Sequence, residues 1–174
     1  MATDELTKLA GAVERHTGSD GVHETAVPAL RLSRFSAPSD LVALVYEPCL
    51  CIVAQGAKEV LLEEETYRLD PARSLLVSVD LPVGARVVEA SPGRPYLAVR
   101  LALDPTVVGE LLADGTTAPR PGPSARAIAV TPVEPTLLDA VGRLVALLDA
   151  PHDVAPGASR VPDSARRGYR WRLL

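Results

Sequence analysis

The chain has 174 residues, 47% of them hydrophobic and only 3% aromatic, so it can build one aliphatic core and is not a disordered polymer. Its formal net charge of −4 argues against a nucleic-acid-binding module, which needs a basic face to displace counterions from phosphates. No apolar run approaches the roughly 20 residues of a membrane helix, and the start Met1-Ala2-Thr3-Asp4-Glu5 lacks the basic and apolar stretches of a signal peptide, which points to the cytoplasm.

Thr3 to Thr17 reads as an amphipathic helix, with Leu6, Leu9, Ala10 and Val13 at helical spacing and Asp4 and Glu5 at its positive end. Gly18-Ser19-Asp20-Gly21 stops it. From Ala29 to Leu103 the texture changes to short strand-like runs: Leu30–Phe35, Leu41–Tyr46, Leu50–Gln55, Lys58–Leu62, Thr66–Leu69, Ser74–Val79, Arg86–Ala90 and Tyr96–Leu103. Turn residues separate them, among them Pro38-Ser39-Asp40, Gly56, Asp70-Pro71, Pro82 with Gly84, and Ser91-Pro92-Gly93. Such punctuation without helical crossovers indicates an antiparallel sandwich or barrel.

Asp104-Pro105 places a capping residue and a first-turn proline at the start of a short helix that ends at Asp114-Gly115. Thr116 to Ser124 is rich in Pro and Gly and reads as a loop. A longer helix follows from about Glu134 to Ala150, with Leu137, Leu138, Val141, Leu144, Val145 and Leu148 as its apolar stripe. That stripe either packs on the barrel or pairs with a second copy of itself. Beyond Pro151 the composition turns to Pro, Gly and five arginines without apolar period, which reads as a disordered basic tail. Tyr169 and Trp171 within it give only a vague likeness to a nucleic-acid arm.

Cys49 and Cys51 stand two residues apart, on one face of a strand and too far apart at Cα for a good disulfide, so they read as small buried hydrophobes. His16, His23 and His152 all fall outside Leu30–Leu103, so composition excludes a histidine-based metal site in the barrel. His16 reads as an exposed residue at a helix end, and His152 beside Asp153 has no activated serine or cysteine nearby. Glu63-Glu64-Glu65 reads as a solvated hairpin, and no phosphate-cradling glycine pattern occurs. No catalytic residues, cofactor or metal are expected.

The central blocks carry a recognisable pattern: Glu47-Pro48-Cys49-Leu50-Cys51-Ile52-Val53-Ala54-Gln55-Gly56-Ala57-Lys58, then Tyr67 to Pro71, Leu75 to Val83, Glu89 to Pro92 and Pro95 to Leu101. In this combination, over Val27 to Asp149, the chain resembles the N-terminal domain of a subgroup of AraC-type bacterial transcription regulators. The resemblance implies a mainly β, cupin-like antiparallel barrel or jelly roll with an N-terminal helix and C-terminal helices, used for effector sensing and often for dimerisation. It also implies that DNA contact belongs to a separate helix-turn-helix domain.

The expected organisation is an N-terminal arm over 1–25, the barrel over 26–103, a helical dimerisation or packing segment over 104–150 and the tail over 151–174. The side chains best placed to orient a small-molecule effector are Tyr46, Gln55, Lys58, Tyr67, Tyr96 and Arg100. Leu137, Val141, Leu144, Val145 and Leu148 are the expected homodimer interface. Near Glu63 a glycine is expected where this chain has three glutamates, so a longer or reshaped turn follows. The tail stands where a further helix and the DNA-binding domain are expected, and its composition suits an out-of-frame reading of GC-rich coding sequence, hence a truncated regulator. The alternatives are a cupin-type small-molecule enzyme, disfavoured by the missing histidines, and a structural remnant that binds nothing.

Overall fold

A computed structural model describes residues 2–113 and 127–149. The expected loop at 116–124 and the tail at 151–174 lie outside the described residues. The first helix, α1 (Ala2–Arg15), carries Asp4 and Glu5 in its first turn, where Lys8 Nζ approaches their carboxylates at 2.7 and 3.1 Å. Its apolar stripe, Leu9, Ala10 and Val13, is buried.

Ten strands follow among the described residues: β1 (Gly21–Glu24), β2 (Leu30–Phe35), β3 (Val42–Tyr46), β4 (Cys49–Gln55), β5 (Ala57–Leu62), β6 (Glu65–Leu69), β7 (Arg73–Val77), β8 (Leu81–Glu89), β9 (Tyr96–Ala102) and β10 (Ile128–Pro132). They form a six-stranded sheet in the order β1-β2-β9-β4-β7-β10 and a four-stranded sheet in the order β3-β8-β5-β6, all pairings antiparallel. Strands β2 to β9 thus fill β2-β9-β4-β7 on one side and β3-β8-β5-β6 on the other, the double-sheet jelly roll of cupin-like barrels. This is the expected mainly β fold.

The period-2 alternation of β4 and β9 gives the larger sheet two different faces. Cys49, Cys51 and Val53 with Tyr96 and Ala98 point between the sheets, into a core shared with Val60, Leu69, Leu75, Val77, Val83 and Val87. Ile52 and Ala54 with Leu97 and Val99 point the other way. There they meet α1 and α3 (Pro135–Ala146), whose Leu138, Val141 and Val145 are buried. A short 3₁₀ turn (Leu147–Asp149) continues α3, so the expected helix over 134–150 stops four residues early. Between β9 and β10 lies α2 (Pro105–Ala113), its first turn capped as expected by Asp104 Oδ1, which accepts from the Thr106 N–H at 2.8 Å.

Three local expectations change. The hairpin joining β5 to β6 is not lengthened: Leu62 pairs with Glu65 across a two-residue loop, and Glu63 itself takes the left-handed conformation at φ 53°. Pro82 and Gly84, read as a turn, lie inside β8. Pro82 faces Val45 of β3 at a position where β5 no longer pairs with β8, so a missing N–H is tolerated there. Gly84 sits where the Leu41 side chain crosses, and an added Cβ would lie 3.0 Å from its Cδ1. Two strands escaped the sequence reading, β1 and β10, both short and both at the edges of the larger sheet. His23 therefore stands on a strand after all, its ring nitrogen Nε2 2.8 Å from the Ser19 carbonyl.

Candidate functional site

Among the described residues the core between the sheets is largely aliphatic, and one cluster of polar groups links the two sheets. Lys58, on β5 of the smaller sheet, reaches across the sandwich and donates from Nζ to Cys51 Sγ on β4 of the larger sheet at 3.3 Å. It also donates to the Tyr46 hydroxyl at 3.1 Å, and its ammonium lies 5.4 Å from the centre of the Tyr46 ring. The Arg100 guanidinium, from β9, lies 5.1 Å from the centre of the same ring. Both cations are within the distance at which an aromatic ring attracts positive charge. Tyr96 closes the group and stacks obliquely on Phe35, with ring centroids 6.3 Å apart.

Register explains why these residues meet. Cys51 is the cross-strand partner of Arg100, and Lys58 is flanked by Leu69 and Val87, all on inward-facing positions. Arg100 is also directly opposite Arg31 of β2 in the antiparallel ladder. Two like charges in directly opposed positions weaken a sheet, and among the described residues the carboxylate paired with Arg31 is that of the highly exposed Glu24, at 3.5 Å.

The electrostatics follow from enclosure. Burial works against the Lys58 ammonium, but its coupling to Cys51, Tyr46 and Tyr96 outweighs that and holds its pKa well above the ordinary lysine value. Burial pushes the Tyr96 phenol well up, against the pull of the Lys58 charge. Burial also raises the Cys49 thiol, an effect that nearby Arg100 partly opposes. The cluster gathers two cations, Lys58 and Arg100, around a thiol and two phenols.

Of the six residues expected to orient a ligand, Tyr46, Lys58, Tyr96 and Arg100 come together. Gln55 does not join them: its Nε2 donates to the Pro95 carbonyl at 2.8 Å and so holds the backbone leading into β9. Tyr67 donates to the Glu65 carboxylate and lines a separate cleft of about 380 Å³ with Arg73 and strand β10. Cys51 and Arg31 were missed. Cys51 is more than a small hydrophobe, since it accepts from Lys58, and the signal was its place on the same strand face as the inward residues of β4. Among the described residues no group of three or more His, Cys, Asp or Glu could hold a metal ion.

The expected dimer interface needs correction. Val141 and Val145 are 4% and 0% exposed, packed with Leu138 on the outer face of the larger sheet and α1. They are filled from within the chain and are not open to a second copy, because the stripe solves its own burial on the sheet. Leu137, Leu144 and Leu148 are only partly buried along the edge of that core. His16, expected to be exposed, is partly buried with Nε2 2.9 Å from Asp149 Oδ1, which ties the end of α1 to the turn after α3. That hydrogen bond, more than the neighbouring Arg15, holds the Asp149 carboxyl below the usual range.

A family model for the AraC-type transcriptional regulator N-terminus matches residues 26–160. No curated protein matches the chain. Among solved structures it is similar to Vibrio cholerae ToxT of strain SCE256, as apo K231A, at 8% identity and TM-score 0.47, covering 68% of this chain and 47% of that one. ToxT of the same strain bound to unsaturated fatty acid is similar at 8% identity and TM-score 0.48, over 69% and 46%. A cupin-2 domain protein of Shewanella frigidimarina is similar at 8% identity and TM-score 0.37, over 56% and 97%. The chain thus spans about half the length of the ToxT chains. No described helix is long and apolar enough to cross a membrane.

Proposed function

The chain belongs to the family of AraC-type transcriptional regulator N-termini, and from that premise we propose that it is the effector-sensing and dimerising part of such a regulator, acting in the cytoplasm by binding and not by catalysis. The observation that carries this reading is the polar cluster that links the two sheets within a largely aliphatic core, Lys58 with Tyr46, Cys51, Tyr96 and Arg100. Apolar walls with a few convergent polar groups are what a small-molecule site requires. A ligand seated there touches both sheets at once, because Lys58 and Cys51 come from opposite sides. It therefore changes how firmly the two sheets are held together, which is a way for occupancy to reach the helices on the far side of the larger sheet.

Thermal-shift screening against sugars, alcohols and aromatic acids tests it, since a ligand that binds only the native state raises the melting temperature. A panel in which no compound stabilises the folded protein counts against sensing and favours a remnant without a ligand. Pairing of two copies is supported by the apolar edge of α3, Leu137, Leu144 and Leu148. A double change of Leu144→Glu and Leu148→Glu is expected to convert dimer to monomer in light scattering, and an intact dimer contradicts that surface.

A further inference from the structure

We propose that the effector is a small organic carboxylate with an apolar body, its carboxylate held by Lys58 with Arg100 and Arg31 beside it. This rests on the sensing reading above and narrows it to a ligand class. Three observations point the same way. The Lys58 ammonium sits between two sheets and donates to a phenol and a thiol, the Tyr46 hydroxyl and Cys51 Sγ. Arg100 lies over the same Tyr46 ring from the other sheet, so two cations converge on one aromatic face. Arg31 is placed directly opposite Arg100 in the ladder, a like-charge juxtaposition that a sheet does not adopt for stability.

A half-buried cation gains more from a charge-assisted hydrogen bond to a carboxylate than from neutral acceptors, and guanidinium groups match carboxylates in bidentate geometry. The core that surrounds the cluster, with Val53, Val60, Leu69, Val83 and Val87, is hydrocarbon. A charged head with an apolar body fits both parts. A phosphate or a sugar fits only the first or neither.

The test uses the whole chain, thermal shift and calorimetry, with benzoate, phenylacetate and octanoate as probes, each paired with its uncharged primary amide. Lys58→Met is the variant. Met keeps the apolar stem and removes the ammonium with its bonds to Tyr46 and Cys51, so each variant's ligand response is read against its own unliganded melting temperature. At least one carboxylate is expected to stabilise the parent while its amide does not, and Lys58→Met is expected to weaken that binding about tenfold or more. Lys58→Arg is expected to keep most of it.

Equal stabilisation by acid and amide, or an undiminished carboxylate response in Lys58→Met, overturns the carboxylate assignment. If neutral compounds stabilise and no carboxylate does, sensing stands and this inference falls. If nothing in either series binds, this inference falls, and sensing is decided by the wider panel of sugars and alcohols. Should Lys58→Met fail to fold, the acid and amide comparison on the parent decides alone.

Discussion

The six-stranded sheet has two faces, and they are built from different chemistry. Toward the helices, Leu30, Leu32, Ile52, Leu97 and Val99 meet Leu9, Val13, Leu138 and Val145 in one aliphatic cluster. Toward the second sheet, the same strands present Cys49, Cys51, Tyr96 and Arg100 to Tyr46 and Lys58. Alternation along single strands, such as Cys51 in and Ile52 out, produces both faces from one stretch of sequence. The helix side is dry aliphatic packing whose job is stability. The inner side holds two half-buried cations, Lys58 and Arg100, over one tyrosine ring, which fits the proposed binding site.

This division can be broken most forcefully at the helix face. Leu138→Ala leaves a cavity between α3 and the sheet and is expected to destabilise the fold by about 2–5 kcal/mol, read from denaturant unfolding. A loss under about 1 kcal/mol would mean that α3 is only loosely docked. Next comes Gly56, the hinge between β4 and β5, with φ +77°. A Cβ there would lie 2.4 Å from the Glu89 carbonyl oxygen and 3.0 Å from Tyr96 Cα. Gly56→Ala combines left-handed strain with a backbone clash and is expected to cost about 2 kcal/mol or more.

The inner face makes its own mark in the pH profile. Cys49 and Tyr96 hold their protons more tightly when folded, and Lys58 does the same. For each, the native state binds more protons than the unfolded chain once pH exceeds the ordinary value, so stability falls as pH rises. The melting temperature is expected to be level at neutral pH and to decline above about pH 8.5, where an unfolded thiol begins to ionise. Cys49→Ala is expected to delay the onset, and a profile still level at pH 10 contradicts the assignment. The smallest effect lies far from both cores: Glu63→Gly relieves the left-handed φ of 53° in the β5–β6 loop. A gain of about 0.5–1 kcal/mol is expected, with no change in ligand response.

Much of this was legible in the sequence, for reasons that differ by element. The helices announced themselves through Leu6, Leu9 and Val13 and through the Leu138 stripe, and Asp104-Pro105 marked the start of α2. Eight strands were expected within the right region because turn residues bracket them. Pro82 and Gly84 misled, since their tolerance inside β8 depends on where β5 stops pairing, a non-local fact. Strands β1 and β10 are strands because β2 and β7 offer them an edge, which is a non-local fact. The α3 stripe was plainly apolar, but periodicity cannot say whether a sheet or a second copy covers it. Likewise Lys58 could be suspected from its chemistry, while its contact with Cys51 needed the facing of the two sheets.

The most direct test sets the two faces against each other in one experiment. Melting temperature is measured with and without a stabilising carboxylate for the parent, Leu138→Ala and Lys58→Met. The expected outcome is a contrast in response: Leu138→Ala starts much lower and keeps the ligand-induced rise, while Lys58→Met, read against its own unliganded baseline, loses it. If Lys58→Met instead keeps the rise, Lys58 is a structural residue and the inner face is not the site.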